Sequence, residues 1–67
     1  MKVNVYIEES VIDKFALNCP DNTDIQTIKD DVKKRYFNCE FVIESGYVTC
    51  RKMYLKIGDQ STDWEEF

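Results

Sequence analysis

Histidine is absent from this chain of 67 residues, and its three cysteines include no closely spaced pair. Histidine is the most frequent general base in enzymes and, with cysteine, a principal zinc ligand. The sequence therefore argues against a structural zinc site and against a cysteine nucleophile activated by histidine. We expect Cys19, Cys39 and Cys50 to be inert free thiols, buried or half-buried, in a reducing compartment. The prediction is a protein that is not an enzyme and has no catalytic residue, metal or cofactor.

Long hydrophobic runs are also missing. No apolar run approaches the roughly 20 residues that cross a bilayer, and the first residues alternate like a strand rather than a signal peptide. We therefore expect a soluble, cytoplasmic protein without membrane contact. A single domain of this length has a small core, which a second subunit commonly supplements. A homodimer is the expected solution.

Basic residues are missing from the end of the chain, where residues 58–67 carry four acids. The other 57 residues carry the remaining nine acids and all nine bases, so the net charge of −4 comes from the end. A near-neutral body without a basic stripe argues against general nucleic-acid binding. We expect residues 1–58 to form a single α+β domain and residues 59–67 an acidic, aromatic C-terminal tail.

One predicted helix organises the chain. Thr23 is the expected N-cap, in a capping box with Gln26, and Asn38 is expected to end the helix in a left-handed conformation. Between them, apolar residues recur at spacings of three and four, which is typical of a helix with one buried stripe. These residues are Ile25, Ile28, Val32 and Tyr36.

Four strands are predicted around the helix. Alternation predicts strands over residues 2–8 and 11–19, joined by a turn at residues 9–10. Residues 40–44 are rich in strand formers, and residues 45–46 suggest a turn. The last strand is predicted over residues 47–57, with a bulge or a late start near residue 49. The predicted fold class is α+β: a small antiparallel sheet in the order β-β-α-β-β, with two hairpins and one helix packed on one face.

The second face of this sheet is predicted to be too apolar for a purely solvated surface. Its expected residues are Tyr6, Ile12, Ala16, Val42 and Tyr54. Either the tail folds over this face, or a second subunit covers it in a C2 dimer.

The tail is the strongest candidate for partner binding. Trp64 and Phe67 could anchor in a partner's pocket while Asp63, Glu65 and Glu66 meet a basic rim. The alternative, in which Trp64 covers the open sheet face of its own chain, is favoured over docking because a core this small needs the aromatic area.

Two charged clusters have simpler explanations than a site. Lys33, Lys34 and Arg35 could contact phosphate, but a basic last turn also complements the helix dipole. The acids around the first hairpin turn are expected to lie at a solvated hairpin end rather than in a catalytic carboxylate pair. They are Glu8, Glu9 and Asp13.

Several of these segments together resemble the DpnD/PcfM family of short proteins from phages, plasmids and other mobile elements. They are Val3-x-Val5-x-Ile7-Glu8-Glu9, then Phe15-x-Leu17, then a helix that closes on Lys34-Arg35-Tyr36-Phe37-Asn38, followed by Glu40-Phe41-Val42-Ile43. The resemblance covers residues 3 to about 57. The family usually has several glutamates and an alanine where this chain has Asp24-Ile25-Gln26-Thr27, and the tail lies outside the match. The resemblance implies a mobile-element setting and supplies no catalytic residues.

The predicted function is stoichiometric binding to a host protein, as a bacteriophage or mobile-element inhibitor of a host defence nuclease or a CRISPR effector (an anti-CRISPR). The alternative is an accessory protein that holds single-stranded nucleic acid, with Tyr6 and Tyr54 stacking on bases and the basic helix end contacting phosphates.

Overall fold

A single helix packs on one face of an antiparallel sheet in the computed structural model, which describes residues 1–42 and 50–67. In chain order the elements are β1 (Lys2–Glu8), β2 (Ile12–Asn18), α1 (Ile25–Phe37), β3 (Lys52–Ile57), β4 (Gln60–Ser61) and β5 (Glu65–Glu66). The strand order is β2-β1-β3-β4, and β5 also pairs with β3. The predicted α+β class, with an antiparallel sheet, two hairpins and one helix, is confirmed.

The first hairpin follows from strict alternation along β1. Val3, Val5 and Ile7 are fully buried, whereas the side chains between them are partly exposed. β1 lies between β2 and β3, with Val5 opposite both Phe15 and Leu55. One face of each strand therefore supplies the core.

The core lies between this sheet face and α1. Its buried members are Val3, Val5, Ile7, Leu17, Ile28, Val32, Met53 and Leu55. Ile28 and Val32 are the buried centre of the predicted helical stripe, and Tyr36 is partly buried at its end. Ile25, at the start of the stripe, is exposed.

The helix begins one residue later than predicted. Asp24 is the N-cap, and its carboxylate accepts hydrogen bonds from the backbone amides of Gln26 at 3.0 Å and Thr27 at 3.3 Å. The hydroxyl of Thr23 instead donates to the carbonyl of Pro20. The prediction of a Thr23 cap was wrong because the Thr23 hydroxyl is engaged by the Pro20 carbonyl. The Asp24 carboxylate is also a strong acceptor for first-turn amides.

The helix ends in a Schellman motif. The amide of Cys39 donates to the carbonyl of Tyr36, and the amide of Glu40 donates to the carbonyl of Arg35. The left-handed residue is Cys39, with φ of 62°, whereas Asn38 has φ of −89°. The prediction of a left-handed Asn38 was therefore wrong by one position.

The segment after the helix differs from its prediction where it is described. Residues 40–42 are not strand, and Phe41 stacks on Phe15 of β2 with ring centroids 4.6 Å apart. The rest of the predicted 40–44 strand, the turn at residues 45–46 and the predicted strand start near residue 49 lie outside the described residues. β3 begins at Lys52, after Cys50 and Arg51.

The end of the chain is part of the sheet. β4 returns from β3 through a two-residue loop, in which Gly58 takes the positive φ that such loops need. β5 pairs with the beginning of β3, with Lys52 opposite Glu66 and Met53 opposite Glu65. Residues 59–67 thus run along the edge of β3.

Candidate binding surface

The face of the sheet opposite α1 is called here the open face. Cross-strand register places its side chains in four rows. The rows are Asn18–Lys2, Ala16–Asn4–Lys56–Ser61, Lys14–Tyr6–Tyr54 and Ile12–Glu8–Lys52–Glu66. Of the residues predicted for this face, Tyr6, Ile12, Ala16 and Tyr54 lie there.

Val42 was also predicted for the open face, and this prediction was wrong. It lies in a depression lined by Glu9, Tyr36, Phe37, Cys39 and Phe41. The chain leaves the helix through the Schellman motif toward the Phe15–Phe41 stack rather than continuing as a strand. Val42 is 63% exposed there.

Three aromatic side chains meet on the open face and are called here the aromatic row: Tyr6, Tyr54 and Trp64. The rings of Tyr6 and Tyr54 are nearly parallel, with centroids 4.5 Å apart. The indole of Trp64 approaches Tyr54 edge-on at 4.6 Å and remains 44% exposed. Trp64 therefore extends the aromatic surface of the open face and is not buried by it.

A shallow depression borders Trp64. Its lining is formed by Tyr54, Ser61, Thr62, Asp63 and Trp64, and its volume is about 330 Å³, at the lower end of the range of small-molecule sites. The backbone here is fixed because Leu55 donates to the Thr62 hydroxyl at 3.0 Å and accepts from the Thr62 amide at 2.9 Å. The depression thus combines an aromatic wall with a rim that carries the hydroxyl groups of Ser61 and Thr62.

Positive charge is concentrated at one end of the open face. Lys2, Lys14 and Lys56, called here the basic end, are exposed and occupy three rows that contain no carboxylate. Their ammonium groups form no ion pair with any residue in the two described ranges. Lys52, in the fourth row, lies between Glu8 and Glu66. The basic end was missed from the sequence because it forms only when the register aligns three strands.

The predicted tail residues are divided between the two sheet faces. Trp64 and Glu66 belong to the open face, and Asp63 borders its depression. Glu65 faces α1, where its carboxylate lies 3.0 Å from the ammonium of Lys29 and 3.9 Å from that of Lys33. The tail therefore does not present its three acids together.

Phe67 also lies on the α1 side, where it forms a cluster with Tyr36 and Phe37. The guanidinium of Arg51 lies over all three rings and is closest to Phe37, at 4.9 Å. The amide of Phe67 donates to the carbonyl of Arg51, and Nε of Arg51 donates to the carbonyl of Phe67 at 3.1 Å. Phe67 thus fixes the tail to its own domain.

The predicted phosphate contacts are largely engaged within the chain. Arg35 binds Asp31 at 2.9 Å and lies 3.6 Å from Glu40, and the hydrogen bond to Asp31 raises its pKa. Lys33 faces Glu65, and Lys34 is exposed. All three are on the opposite side of the sheet from the aromatic row, so the predicted combination of Tyr6, Tyr54 and the basic helix end is not formed.

The carboxylate of Glu9, in the first hairpin turn, has a structural partner. Glu9 accepts a hydrogen bond from the hydroxyl of Tyr36. Burial raises the pKa of Tyr36, and the Glu9 carboxylate raises it further. This pair joins the hairpin turn to the last turn of α1, which is a structural role.

The cysteines are free thiols, as predicted, but two of the three are more exposed than predicted. Cys19 is half-buried, whereas Cys39 and Cys50 are exposed. Cys39 takes the left-handed position after the helix, and Cys50 precedes β3. Partial loss of hydration raises the pKa of the Cys50 thiol, and the carboxylate of Glu66, 3.5 Å from its sulfur, adds to the increase.

Among the described side chains, no three of the cysteine, aspartate and glutamate groups lie close enough together to hold a metal ion. No helix in the described part of the chain has the length and apolar character to cross a membrane. Comparisons of this chain with models of protein families, with curated proteins and with solved structures gave no match.

Proposed function

We propose that this chain is a non-enzymatic protein of a phage or another mobile element that binds a host protein stoichiometrically. The expected partner is a nuclease or CRISPR effector of a host defence system, in the host cytoplasm, and the expected effect is inhibition. The setting rests on the resemblance of residues 3–57 to the DpnD/PcfM family. The lack of histidine supports a function by contact rather than by catalysis.

The observation that carries the proposal is the exposure of Trp64 beside Tyr54 and Tyr6. Tryptophan and tyrosine dominate the energetics of protein interfaces when they lie near the centre of the contact. Here their rings are already packed against one another in one surface, so a partner would bind without first ordering them. Because Glu65 is paired with Lys29 within the chain, its carboxylate is not available to the basic rim that was expected on the partner.

A titration of nuclease activity tests this function. Purified protein is added to a CRISPR effector or a host restriction nuclease that cleaves plasmid DNA. With a stoichiometric inhibitor, the nuclease activity falls linearly with the amount of added protein and reaches zero near one chain per effector. Complete inhibition at a small fraction of that ratio would indicate catalysis, and no inhibition across a panel of effectors would end the proposal.

Substitution of Trp64 locates the surface. Trp64→Ala is expected to weaken inhibition about 30-fold, which corresponds to about 2 kcal/mol for a central aromatic residue. Val42→Ala is the matched control because Val42 is an exposed apolar residue outside the open face. Equal loss in both variants would place the contact elsewhere.

The homodimer expected from the small core is also a proposal. The open face is the surface that a C2 partner would cover, since the aromatic row is self-complementary in chemistry. The solution mass, measured by light scattering, tests it: a monomer at high concentration contradicts a dimer, and a dimer that Trp64→Ala dissociates supports it.

A further inference from the structure

We propose that the open face binds single-stranded nucleic acid, with bases stacked on the aromatic row and phosphates at the basic end. This inference goes beyond the proposed function because it concerns a different partner, and each can fail without the other. It also replaces the basic helix end of the sequence hypothesis with Lys2, Lys14 and Lys56.

The open face combines aromatic rings with lysines. Proteins that hold single strands without sequence preference place aromatic side chains, on which bases stack, beside cations that follow the backbone. On this face Lys14 is directly opposite Tyr6, and Tyr6 is directly opposite Tyr54. The lysine and the stacked rings therefore lie in one row. Tyr6 and Tyr54 cover one face of each other, so a base would stack at an end of the aromatic row, on Tyr6 beside Lys14 or on Trp64.

The charges of the open face are complementary to phosphate. The chain as a whole is negative, yet four of its nine basic residues are on the open face, where two acids among the described residues, Glu8 and Glu66, lie in the strand rows. On the α1 side, Lys29 and Lys33 share the carboxylate of Glu65, and Arg35 pairs with Asp31. No described carboxylate pairs with a lysine of the basic end, which can therefore meet an external anion.

The depression beside Trp64 offers a place for one base. Its aromatic wall suits a planar base, and its Ser61 lies opposite Lys56 across the β3–β4 pair. A base against Trp64 would therefore have its phosphate near Lys56. Asp63 borders the same depression and disfavours close approach of a second phosphate, which limits the contact to a short stretch of strand.

Trp64 is the only tryptophan in the chain, so its fluorescence reports occupancy of this face directly. Oligo-dT of about ten nucleotides, in about 20 mM salt, is expected to quench the Trp64 emission. The same oligonucleotide with a fluorescent label gives the affinity by anisotropy. With three lysines at phosphates, the logarithm of the binding constant should fall with the logarithm of salt concentration with a slope of about −2.

Substitutions separate charge from stacking. The double variant Lys14→Gln and Lys56→Gln is expected to reduce the salt slope by about 1.4. Tyr6→Leu is expected to weaken binding about tenfold and to leave the slope unchanged. Lys34→Gln is the matched control because Lys34 is an exposed lysine on α1, and it should change neither quantity. The two lysines are exposed, so the double variant keeps the test valid even if Tyr6→Leu fails to fold.

Three results would overturn the proposal. One is the absence of quenching and of an anisotropy change at low salt. Another is equal binding of a duplex of the same length, which would leave no role for stacking. The last is equal quenching by an oligo-glutamate peptide together with no effect of Tyr6→Leu, which would assign the face to an acidic protein surface. None of these results bears on whether the chain inhibits a nuclease.

Discussion

The carboxylate of Glu65 lies 3.0 Å from the ammonium of Lys29, which joins the last strand to the middle of the helix. Trp64 precedes Glu65 directly but faces the other side of the sheet. This alternation lets one side chain bind the helix while its neighbour is held on the open face. The position of Trp64 thus depends on contacts made on the far side of the sheet.

Loss of the Glu65 contact should therefore loosen Trp64. Glu65→Gln is expected to reduce the free energy of unfolding by less than about 1 kcal/mol, because the pair is partly exposed and screened by water. The fluorescence anisotropy of Trp64 should nevertheless fall, and amide exchange in residues 65–67 should accelerate. Asp30→Asn, which removes an exposed carboxylate elsewhere on α1, should leave both signals unchanged. Unchanged anisotropy in Glu65→Gln would show that strand pairing and the Phe67 contacts hold the tail without the Glu65 carboxylate.

The left-handed Cys39 is expected to cost stability. A residue with a Cβ in this conformation is strained relative to glycine, so Cys39→Gly should raise the free energy of unfolding by about 1 kcal/mol. Cys39→Ala keeps the strain and should give no such increase. Urea denaturation of the two variants checks this, and equal stability of both would contradict the assigned conformation.

Two substitutions of Asp24 separate hydrogen bonding from charge at the helix cap. Asp24→Ala removes two hydrogen bonds to first-turn amides and should cost about 1 kcal/mol. Asp24→Asn retains an acceptor at the cap and should cost only a small part of this. A loss as large in Asp24→Asn as in Asp24→Ala would mean that charge, rather than hydrogen bonding, dominates the cap. Thermal unfolding followed by circular dichroism measures both.

Tyr36 makes stability depend on alkaline pH. Its pKa in the folded chain is raised by burial and by Glu9, so the neutral phenol is favoured when folded. This contribution is complete below the ordinary tyrosine pKa of about 10 and is lost as pH rises through the higher folded value. The free energy of unfolding should thus decline above about pH 10, and Tyr36→Phe should show a smaller decline. Identical pH profiles for the two proteins would contradict this.

The buried centre of the sheet sets the overall stability. Leu55→Ala should cost about 2–5 kcal/mol, because Leu55 is fully buried between β1 and α1. In a domain this small, such a loss is enough to unfold much of the population at room temperature. Ile12→Ala, at an exposed position on β2, is the control and should cost well under 1 kcal/mol. Equal losses would mean that the open face is covered in solution, as a dimer would require.

The sequence predicted those features that depend on neighbouring residues. Alternation along Val3, Val5 and Ile7 identifies a strand with one buried face, and the spacing of Ile28 and Val32 identifies the buried side of a helix. Both patterns depend on residues a few positions apart, so they can be recognised in the sequence without knowledge of the tertiary contacts. The predicted α+β class follows from them, as does the presence of Tyr6 and Tyr54 on one face.

Boundaries at the helix ends were less accurate because each depends on competition between adjacent groups. Thr23 and Asp24 are both good caps, and the carbonyl of Pro20 decides the outcome by engaging the Thr23 hydroxyl. Whether Asn38 or Cys39 takes the left-handed conformation depends on where the helix ends. The hydrogen bonds to the carbonyls of Arg35 and Tyr36 in the Schellman motif select Cys39.

The amino-acid sequence by itself determined that this chain has two hydrophobic periodicities and no histidine-based chemistry, and hence a layered α+β domain with one sheet face left over. Tertiary structure alone decided what occupies that face. Strand register placed Lys2, Lys14 and Lys56 on one face, and strand pairing sent Trp64 to one side and Glu65 and Phe67 to the other. The reason is physical: register and edge pairing are set by contacts between residues distant in the chain, and a shift by one position would exchange every side chain between the two faces.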